Sequence, residues 1–533
     1  MTLSQVPADT SKALRDTTIA SILVDAASAS PDGEALVEGV ASGRRRWTYA
    51  ELHDTAADAG GALASRFDAG DRLAVYAPSL PEFLVLSFAS AMANLVLVPL
   101  NPALRPREVH HILATSGAAG AFVVDAYRSN APRDVVESLR GSLPALREVV
   151  RFEDWPAFVA GGGREPGRPG PHPDDIAEIV FTSGTTGVPK GARLTHRGMT
   201  NSSRFGAERF GLEPGDRYVQ NMPLFHVGGQ EVSFGICQQQ GAHINVPAFD
   251  PGLVLQLVEE EQATHTVAVP TMLVGMIEHA EFSSRDLSSL RAISSGGALV
   301  PPELIRDIEA SLDAQVTVVF GQTESCGYIS QTELDDAPED KALTLGHPLE
   351  QLEARVVDPS TGAVVPTGTV GELQVRGYSV MQGYHDMPEA TADAIVDGGW
   401  LRTGDLVTMD GRGYLRIAGR LKEMIVSGGL NIYPLEIEGV LGEHPAVAQA
   451  AVVGVPDHHW GELVVGVLRG RDAGAAGGAE GGNGLDVAEV EQWARERLAP
   501  YKIPKRWVVV DEMPMTVTGK VQKFLLREAI DGR

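Results

Sequence analysis

The chain has 533 residues, 43% of them hydrophobic and 21% charged, which is the balance of a globular protein rather than a disordered one. That length exceeds one ordinary core and sets an expectation of roughly two to four domains. With 70 acidic against 44 basic residues the formal charge is −26, which repels polyanions and argues against a nucleic-acid partner.

Two cysteines, Cys237 and Cys326, stand without metal-ligand spacing, so neither a disulfide framework nor a zinc cluster organises the chain. The opening stretch MTLSQVPADTSKALRD lacks the basic-then-apolar pattern of a signal peptide. No apolar run approaches membrane-spanning length, and the expectation is a cytoplasmic protein with no membrane span.

In chain order, the triplet RRR at 44–46 precedes a strand-like run and reads as a solvated turn. RLAVYAP (72–78) is a strand pattern, followed by the helical PEFLVLSFASAMANL (81–95). RPREVHHILATSG is a helix pattern leading into the strand-like AAGAFVVD (118–125). Such alternation predicts parallel sheets covered by helices. The histidine pairs at 110–111 and 458–459 are not spaced for a metal and are expected on helix or loop surfaces. AGGGREPGRPGPHPDD (160–175) is rich in Gly and Pro and reads as a surface connection.

The stretch AEIVFTSGTTGVPKG starts as a strand and passes into small hydroxyl residues and glycines around one Pro-Lys pair. Glycines let backbone amides crowd an anion, hydroxyls add donors, and Lys190 adds a mobile charge. It is not a Walker A loop, because Pro189 stands five residues after Gly184, and it is not a dinucleotide fingerprint. A disordered linker is the bland alternative; the upstream strand and the lone Pro-Lys pair speak against it.

Near residue 350 the pattern changes to short strands, EARVVD, GELQVRG and LVTMDGRGYLRIAG, with a hairpin turn expected at 410–413. Beyond AGRLKEM (418–424) a helix pattern and then a strand pattern follow, and the last ~110 residues read as a compact α+β unit. Within it RDAGAAGGAEGGNG (471–484) is of low complexity and is expected to be a solvent loop. There is no internal repeat.

The phosphate-loop stretch closely resembles the signature of the adenylate-forming superfamily, which contains acyl-CoA synthetases, amino-acid adenylation domains and luciferases. The rest of that family's pattern follows in order: PLFHVGG (223–229), SSGGALVPPEL (294–304), VVFGQTES (318–325), GELQVRG (371–377), GWLRTGDL (399–406), GRLKEMIVSGGLNIYPLEIE (419–438) and PMTVTGKVQK (514–523). The resemblance spans nearly the whole chain and is closest to the CoA ligases. It implies an α/β protein: a large N-terminal domain of parallel-type sheets with covering helices plus a β-rich subdomain (1–419), then a small mobile α+β C-terminal domain (420–533) hinged near Lys422.

The implied chemistry is attack of a carboxylate on the α-phosphorus of ATP, giving an acyl-adenylate and pyrophosphate, then transfer of the acyl group to a nucleophile. Positioning and electrostatics carry most of such a reaction. By resemblance, Thr182, Ser183, Gly184, Thr185, Thr186, Gly187 and Lys190 hold the β- and γ-phosphates. Phe320, with Gly321 and Gln322, faces adenine; Thr323 meets the α-phosphate, and Glu324 holds Mg2+, an apt hard ligand. Asp405 accepts the ribose hydroxyls, Arg420 reaches ribose and phosphates, and Ile417 walls the adenine or is plain core. Lys520 bridges the carboxylate and the α-phosphate, whereas Lys523 reads as an ordinary surface lysine.

For the second half-reaction, Gly428 and Gly429 are expected to line a tunnel for a pantetheine arm, with His226 gating between it and the acyl pocket. Acyl-pocket positions carry Val227, Gly228, Gly229, Gly296, Gly297, Ala298, Phe320 and Cys326, small and nearly uncharged. The aspartate that amino-acid-activating relatives carry before this motif is replaced by RYVQNM. An apolar or aromatic carboxylic acid is therefore the expected substrate. Three acceptors stay open: CoA, favoured by SGGLNIYPLEIE, the phosphopantetheine of a carrier protein, and a free amine.

Overall fold

The computed structural model describes residues 2–162, 169–182, 189–297, 300, 302–471, 485–515 and 521–531. They form two compact units, one of Val6–Ala354 with Gln374–Arg402, the other of Met1–Gln5, Arg355–Leu373 and Thr403–Arg533. The α/β class is as expected.

The first unit holds two sheets. One has nine strands, in the order His347–Pro348, Ser330–Gln331, Gln315–Phe320, Ala292–Gly296, His265–Val267, Arg217–Gln220, Ala242–Asn245, Glu34–Glu38, Arg46–Thr48. Its six inner strands from Gln315–Phe320 to Glu34–Glu38 pair in parallel. The other has six, in the order Glu148–Arg151, Gly120–Val123, Arg72–Tyr76, Val96–Leu100, Ile176–Thr182, Lys190–Thr195, parallel up to the antiparallel last pair. Parallel strands need long crossovers, and the helices between them bury both sheet faces.

The crossover helices start where the sequence signals they should. Thr48 caps Tyr49–Ala64 by accepting from Glu51 N–H (3.2 Å) while the Glu51 carboxylate accepts from Thr48 N–H (2.8 Å). The helix Pro81–Met92 begins on proline at its first position and is buried on nearly every face, which explains its almost unbroken apolar run. The RRR triplet leads into a strand with Arg45 and Arg46 exposed, as expected, but its guanidinium groups are ion-paired. Arg44 pairs with Glu260 and Glu261, Arg45 with Glu38 and Glu82, and Arg46 with Glu34 and Glu261. Glu34 and Glu38 lie on the adjacent strand, whereas Glu82, Glu260 and Glu261 come from distant segments that the triplet's own sequence does not reveal.

In the second unit, Leu352–Val357, Gly371–Gly377, Trp400–Met409 and Leu415–Arg420 are successive members of a six-stranded sheet, and the unit boundaries fall inside its first three. The last two strands form the expected hairpin around 410–413, with Asp410 accepting from the N–H groups of Arg412 and Tyr414. A separate five-stranded sheet follows, ordered Leu430–Ile432, Ile425–Ser427, Gly461–Gly470, Val447–Asp457, with Arg506–Val509 beside Gly461–Gly470. Alternate residues of Val447–Asp457 supply two cores: Val452 packs with Ile437, Leu441 and Val490, while Ala451, Val453 and Val455 pack with Met513, Leu526 and Ile530. That is the period of two expected of a strand covered on both faces.

Candidate active site

In the first unit, the strands Ile176–Thr182 and Lys190–Thr195 pair antiparallel, and Thr182 stands opposite Lys190 at the end of the ladder. The expected phosphate-loop residues Ser183, Gly184, Thr185, Thr186 and Gly187 lie outside the described residues, as do Ala298 and Lys520. The two stems of that loop are tied by a residue that sequence reading had left on a surface. His111 Nε2 lies 3.0 Å from the carbonyl oxygen of Pro189, and its ring packs edge-on against Phe181 at 6.3 Å. A carbonyl only accepts, so Nε2 carries the hydrogen.

The segment Phe320–Ser325 leaves the end of a parallel strand and enters a short 3-10 turn, Thr323–Ser325. Gly321 must be glycine here: a Cβ would stand 2.0 Å from the carbonyl oxygen of Gly327. Gln322 precedes the turn with extended backbone, and Phe320, Gln322, Thr323 and Glu324 are all half-buried. The carboxylate of Glu324 accepts a 2.8 Å hydrogen bond from the hydroxyl of Tyr384. Lys190 Nζ sits 5.1 Å from the centre of the same tyrosine ring. Glu324 and Lys190, far apart in sequence, thus meet on one side chain. Sequence reading missed Tyr384, because its partners lie far along the chain and no local pattern marks it.

His226 caps the helix Val227–Gln238, with Nδ1 accepting from Gly228 N–H at 3.1 Å, which leaves the ring hydrogen on Nε2. Val227 is buried, Gly228 half-buried, Gly296 buried and Gly297 exposed. Cys326 is fully buried, its thiol pushed up by burial and then by the charges of Glu231 and Glu178. Those two glutamates are interior carboxyls, Glu178 facing Gln230 and Glu231 facing Ser202. Burial pushes Glu178 up to about 8 and raises Glu231 well above the carboxylate range, with Glu178 adding to the effect. Burial thus works against the charged form of both carboxyls, one of them on the helix that follows His226.

In the second unit, Asp405 and Arg420 pair across adjacent strands, with Arg420 Nε 3.2 Å from Asp405 Oδ1. Asp405 is buried while Arg420 is exposed, and Thr403 Oγ1 accepts from Asp405 N–H at 3.1 Å. Ile417 is half-buried on the same hairpin, opposite Val407. Lys422 lies in the short turn Leu421–Glu423 that follows. Gly428 and Gly429 form the two-residue turn between Ile425–Ser427 and Leu430–Ile432, with φ of 59° and 79°. Both glycines are thus explained by hairpin geometry before any tunnel is invoked.

Lys523 is not an ordinary surface lysine. Its ammonium lies 2.8 Å from Glu423 and 2.8 Å from Glu438, and its side chain is 20% exposed. Among the described residues no group of three or more His, Cys, Asp or Glu side chains could hold a metal. A divalent ion at Glu324 would therefore take most of its ligands from the phosphates and water it arrives with.

This chain belongs to the AMP-binding enzyme family: that description matches residues 23–385, and the family's C-terminal domain matches residues 436–520. Within the family it is a ligase of the acyl-CoA synthetase type. It is 36% identical to the 3-[(3aS,4S,7aS)-7a-methyl-1,5-dioxo-octahydro-1H-inden-4-yl]propanoyl:CoA ligase of Mycobacterium tuberculosis, over 93% of this chain and 96% of that one. It is 32% identical to the mitochondrial medium-chain acyl-CoA ligase ACSF2 of Danio rerio, over 99% of this chain and 91% of the relative. Among solved structures, ATP-bound MatB from Rhodopseudomonas palustris superposes with a TM-score of 0.88 at 29% identity, covering 97% of this chain and 99% of that one. No helix among the described residues is long and apolar enough to cross a membrane.

Proposed function

We propose that the protein activates an apolar or aromatic carboxylic acid with Mg2+ and ATP and transfers the acyl group to the thiol of CoA. The observation that carries the reading is the meeting of Glu324 and Lys190 around Tyr384, which sets a hard oxygen ligand and a cation side by side. A phosphate chain with its Mg2+ needs that pair of charges.

In the first half-reaction a substrate carboxylate oxygen attacks the α-phosphorus of ATP and pyrophosphate leaves. Thr182, Lys190 and the loop 183–187 hold the outgoing phosphates, Thr323 meets the α-phosphate, and Glu324 meets Mg2+. Phe320, Gly321, Gln322 and Ile417 flank adenine, and Asp405 with Arg420 receives the ribose. Lys520 bridges the two reacting anions, lowering their repulsion as charge develops. In the second half-reaction the thiolate of CoA attacks the acyl carbonyl and AMP leaves. Gly428 and Gly429 lie beside the pantetheine arm, with His226 between arm and acyl group. The functional boundary falls between 1–419 and 420–533, with Lys422 at the hinge.

The apolar class is supported by the small, uncharged set Val227, Gly228, Gly296, Gly297, Ala298 and Cys326. The relatives named for medium-chain and polycyclic propanoyl substrates point the same way. The test is a panel of alkanoic, aromatic, dicarboxylic and amino acids scored by pyrophosphate release, with thioester then sought on adding CoA. Release confined to amino acids or dicarboxylates overturns the substrate class. Adenylate formed without thioester, but consumed by a carrier-protein phosphopantetheine or an amine, replaces CoA as acceptor.

A further inference from the structure

We propose that Tyr384 is a positioning residue of the phosphate site, fixing Glu324 through its hydroxyl and Lys190 through its ring. The inference rests on the reading of Glu324 and Lys190 as the Mg2+ and phosphate groups.

Tyr384 is itself held from three directions. Its N–H donates to Thr391 Oγ1 at 2.9 Å. Its flanking residues are laced to the start of the strand Lys190–Thr195: Gln382 N–H donates to the carbonyl of Arg193 (2.9 Å), Arg193 N–H to that of Gly383 (3.0 Å), and His385 N–H to that of Gly191 (2.7 Å). On the other side Met381 N–H donates to the carbonyl oxygen of Glu324 at 2.9 Å. The segment 381–385 is therefore a strap between the strand that begins at Lys190 and the turn that carries Glu324. Tyr384 lies within it.

The side chain acts on both groups at once. Its O–H donates to Glu324 Oε1 at 2.8 Å, which fixes the plane of the carboxylate and directs the other oxygen elsewhere. One oxygen held by a hydrogen bond and one turned to a cation is a common arrangement for a single metal-binding carboxylate. The ring face attracts the Lys190 ammonium, 5.1 Å from its centre, within the reach of a cation–π contact. One side chain thereby engages a long, flexible lysine through its ring and a carboxylate through its hydroxyl.

The experiment uses Tyr384→Phe, which keeps the ring and loses the hydroxyl, Tyr384→Leu, which loses both, and Glu324→Gln. Equilibrium binding of ATP is measured by calorimetry at graded Mg2+ concentrations without any acid, beside the Mg2+ dependence of ATP–pyrophosphate exchange. Thermal unfolding of each variant controls for folding. Tyr384→Phe is expected to raise the Mg2+ concentration for half-maximal ATP binding by about tenfold while leaving the KM for the acid unchanged. Tyr384→Leu should also weaken ATP binding at saturating Mg2+, where Tyr384→Phe does not. In the double variant with Glu324→Gln, the Phe substitution should have no further effect on Mg2+ dependence.

Wild-type Mg2+ dependence in Tyr384→Phe overturns the proposal, as does an effect that simply adds to that of Glu324→Gln. If Glu324→Gln alone leaves Mg2+ dependence unchanged, the assignment of Glu324 fails, and the positioning role falls with it. A loss confined to thermal stability, with Mg2+ and ATP binding intact, reduces Tyr384 to a packing residue.

Discussion

The ammonium of Lys523 is shared between Glu423, one residue past Lys422, and Glu438 on the helix Pro434–Gly442. Glu438 also accepts from Val452 N–H at 2.6 Å, and it is raised by burial although Lys523 opposes the shift. Removing the lysine leaves a buried carboxylate without its counter-charge, a loss of about 3 kcal/mol. Lys523→Met should therefore lower the melting temperature of the C-terminal part of the chain, and Lys523→Met with Glu438→Gln should recover most of it. Melts of the two variants that coincide would show that the pair carries no stability.

Asp405 is the buried member of its pair and Arg420 the exposed one, so they should fail differently. Asp405→Asn keeps the shape but replaces an ionised acceptor, and hydrogen bonds to a charged group are worth roughly 1.5–3 kcal/mol. ATP affinity is expected to fall by about 10–100-fold, and deoxy-ribose analogues should lose less than ATP does. Calorimetry with ATP and its 2′- and 3′-deoxy forms checks this. An affinity within about twofold of wild type takes Asp405 out of the nucleotide site, since even one such bond is worth more.

The interior carboxyl of Glu178 gives a pH signature with a definite sign. Its value in the folded protein is raised to about 8, so the folded state keeps a proton that the unfolded state has released. Stability from this group is complete below the ordinary carboxylate range and is lost as pH rises towards about 8, beyond which the penalty is constant. Gln230 faces it and opposes the shift, and Glu178 in turn helps to raise the neighbouring Glu231. Glu178→Gln should therefore be more stable than wild type at alkaline pH, by ~5 kcal/mol at most, and nearly equal to it in acid. Denaturant melts across that range decide it, and a gain that is the same at every pH would contradict the account.

His111 ties the two stems of the phosphate loop, and its removal should loosen the loop without touching the second half-reaction. His111→Ala is expected to raise the KM for ATP by on the order of 10-fold, the value of one hydrogen bond and its packing. His111→Gln, which retains a donor, should recover part of it. Transfer to CoA from a prepared acyl-adenylate should be unaffected; equal losses in both half-reactions would refute the loop-anchoring role.

What was legible in the sequence was local. The strand–helix alternation, the 410–413 turn and the strand into Lys190 each carry their signal within a few residues, and each stands in the structure. Four readings failed or fell short because their causes are distant. RRR finds carboxylates as far off as Glu261, His111 meets Pro189, Lys523 meets Glu423, and Tyr384 was passed over because Glu324 lies 60 positions away. A charged or aromatic side chain looks the same in sequence whether it faces water or a partner brought in by the fold. The glycine pair 428–429 shows the reverse case: its pattern was read as a tunnel wall, while a tight hairpin already requires positive φ at both positions.

That double meaning shapes the test of the acceptor. Gly429 has φ of 79° and no atom within 4 Å of where a Cβ would stand, so there is room for a side chain but backbone strain for most residues. Asn tolerates the left-handed region, so Gly429→Asn isolates the hairpin's needs, and Gly429→Trp adds bulk. If the turn borders the pantetheine arm, Gly429→Asn should retain much of the thioester yield. Gly429→Trp should still release pyrophosphate with acid and ATP but should fail to form thioester. Lys520→Ala should show the opposite division, losing adenylate formation while still converting a prepared acyl-adenylate to thioester. Each variant is measured in both half-reactions, with CoA and with a panel of amines. If Gly429→Trp makes thioester at the wild-type rate, the turn does not border the arm. If the wild-type enzyme makes amide but no thioester with any accepted acid, CoA is not its acceptor.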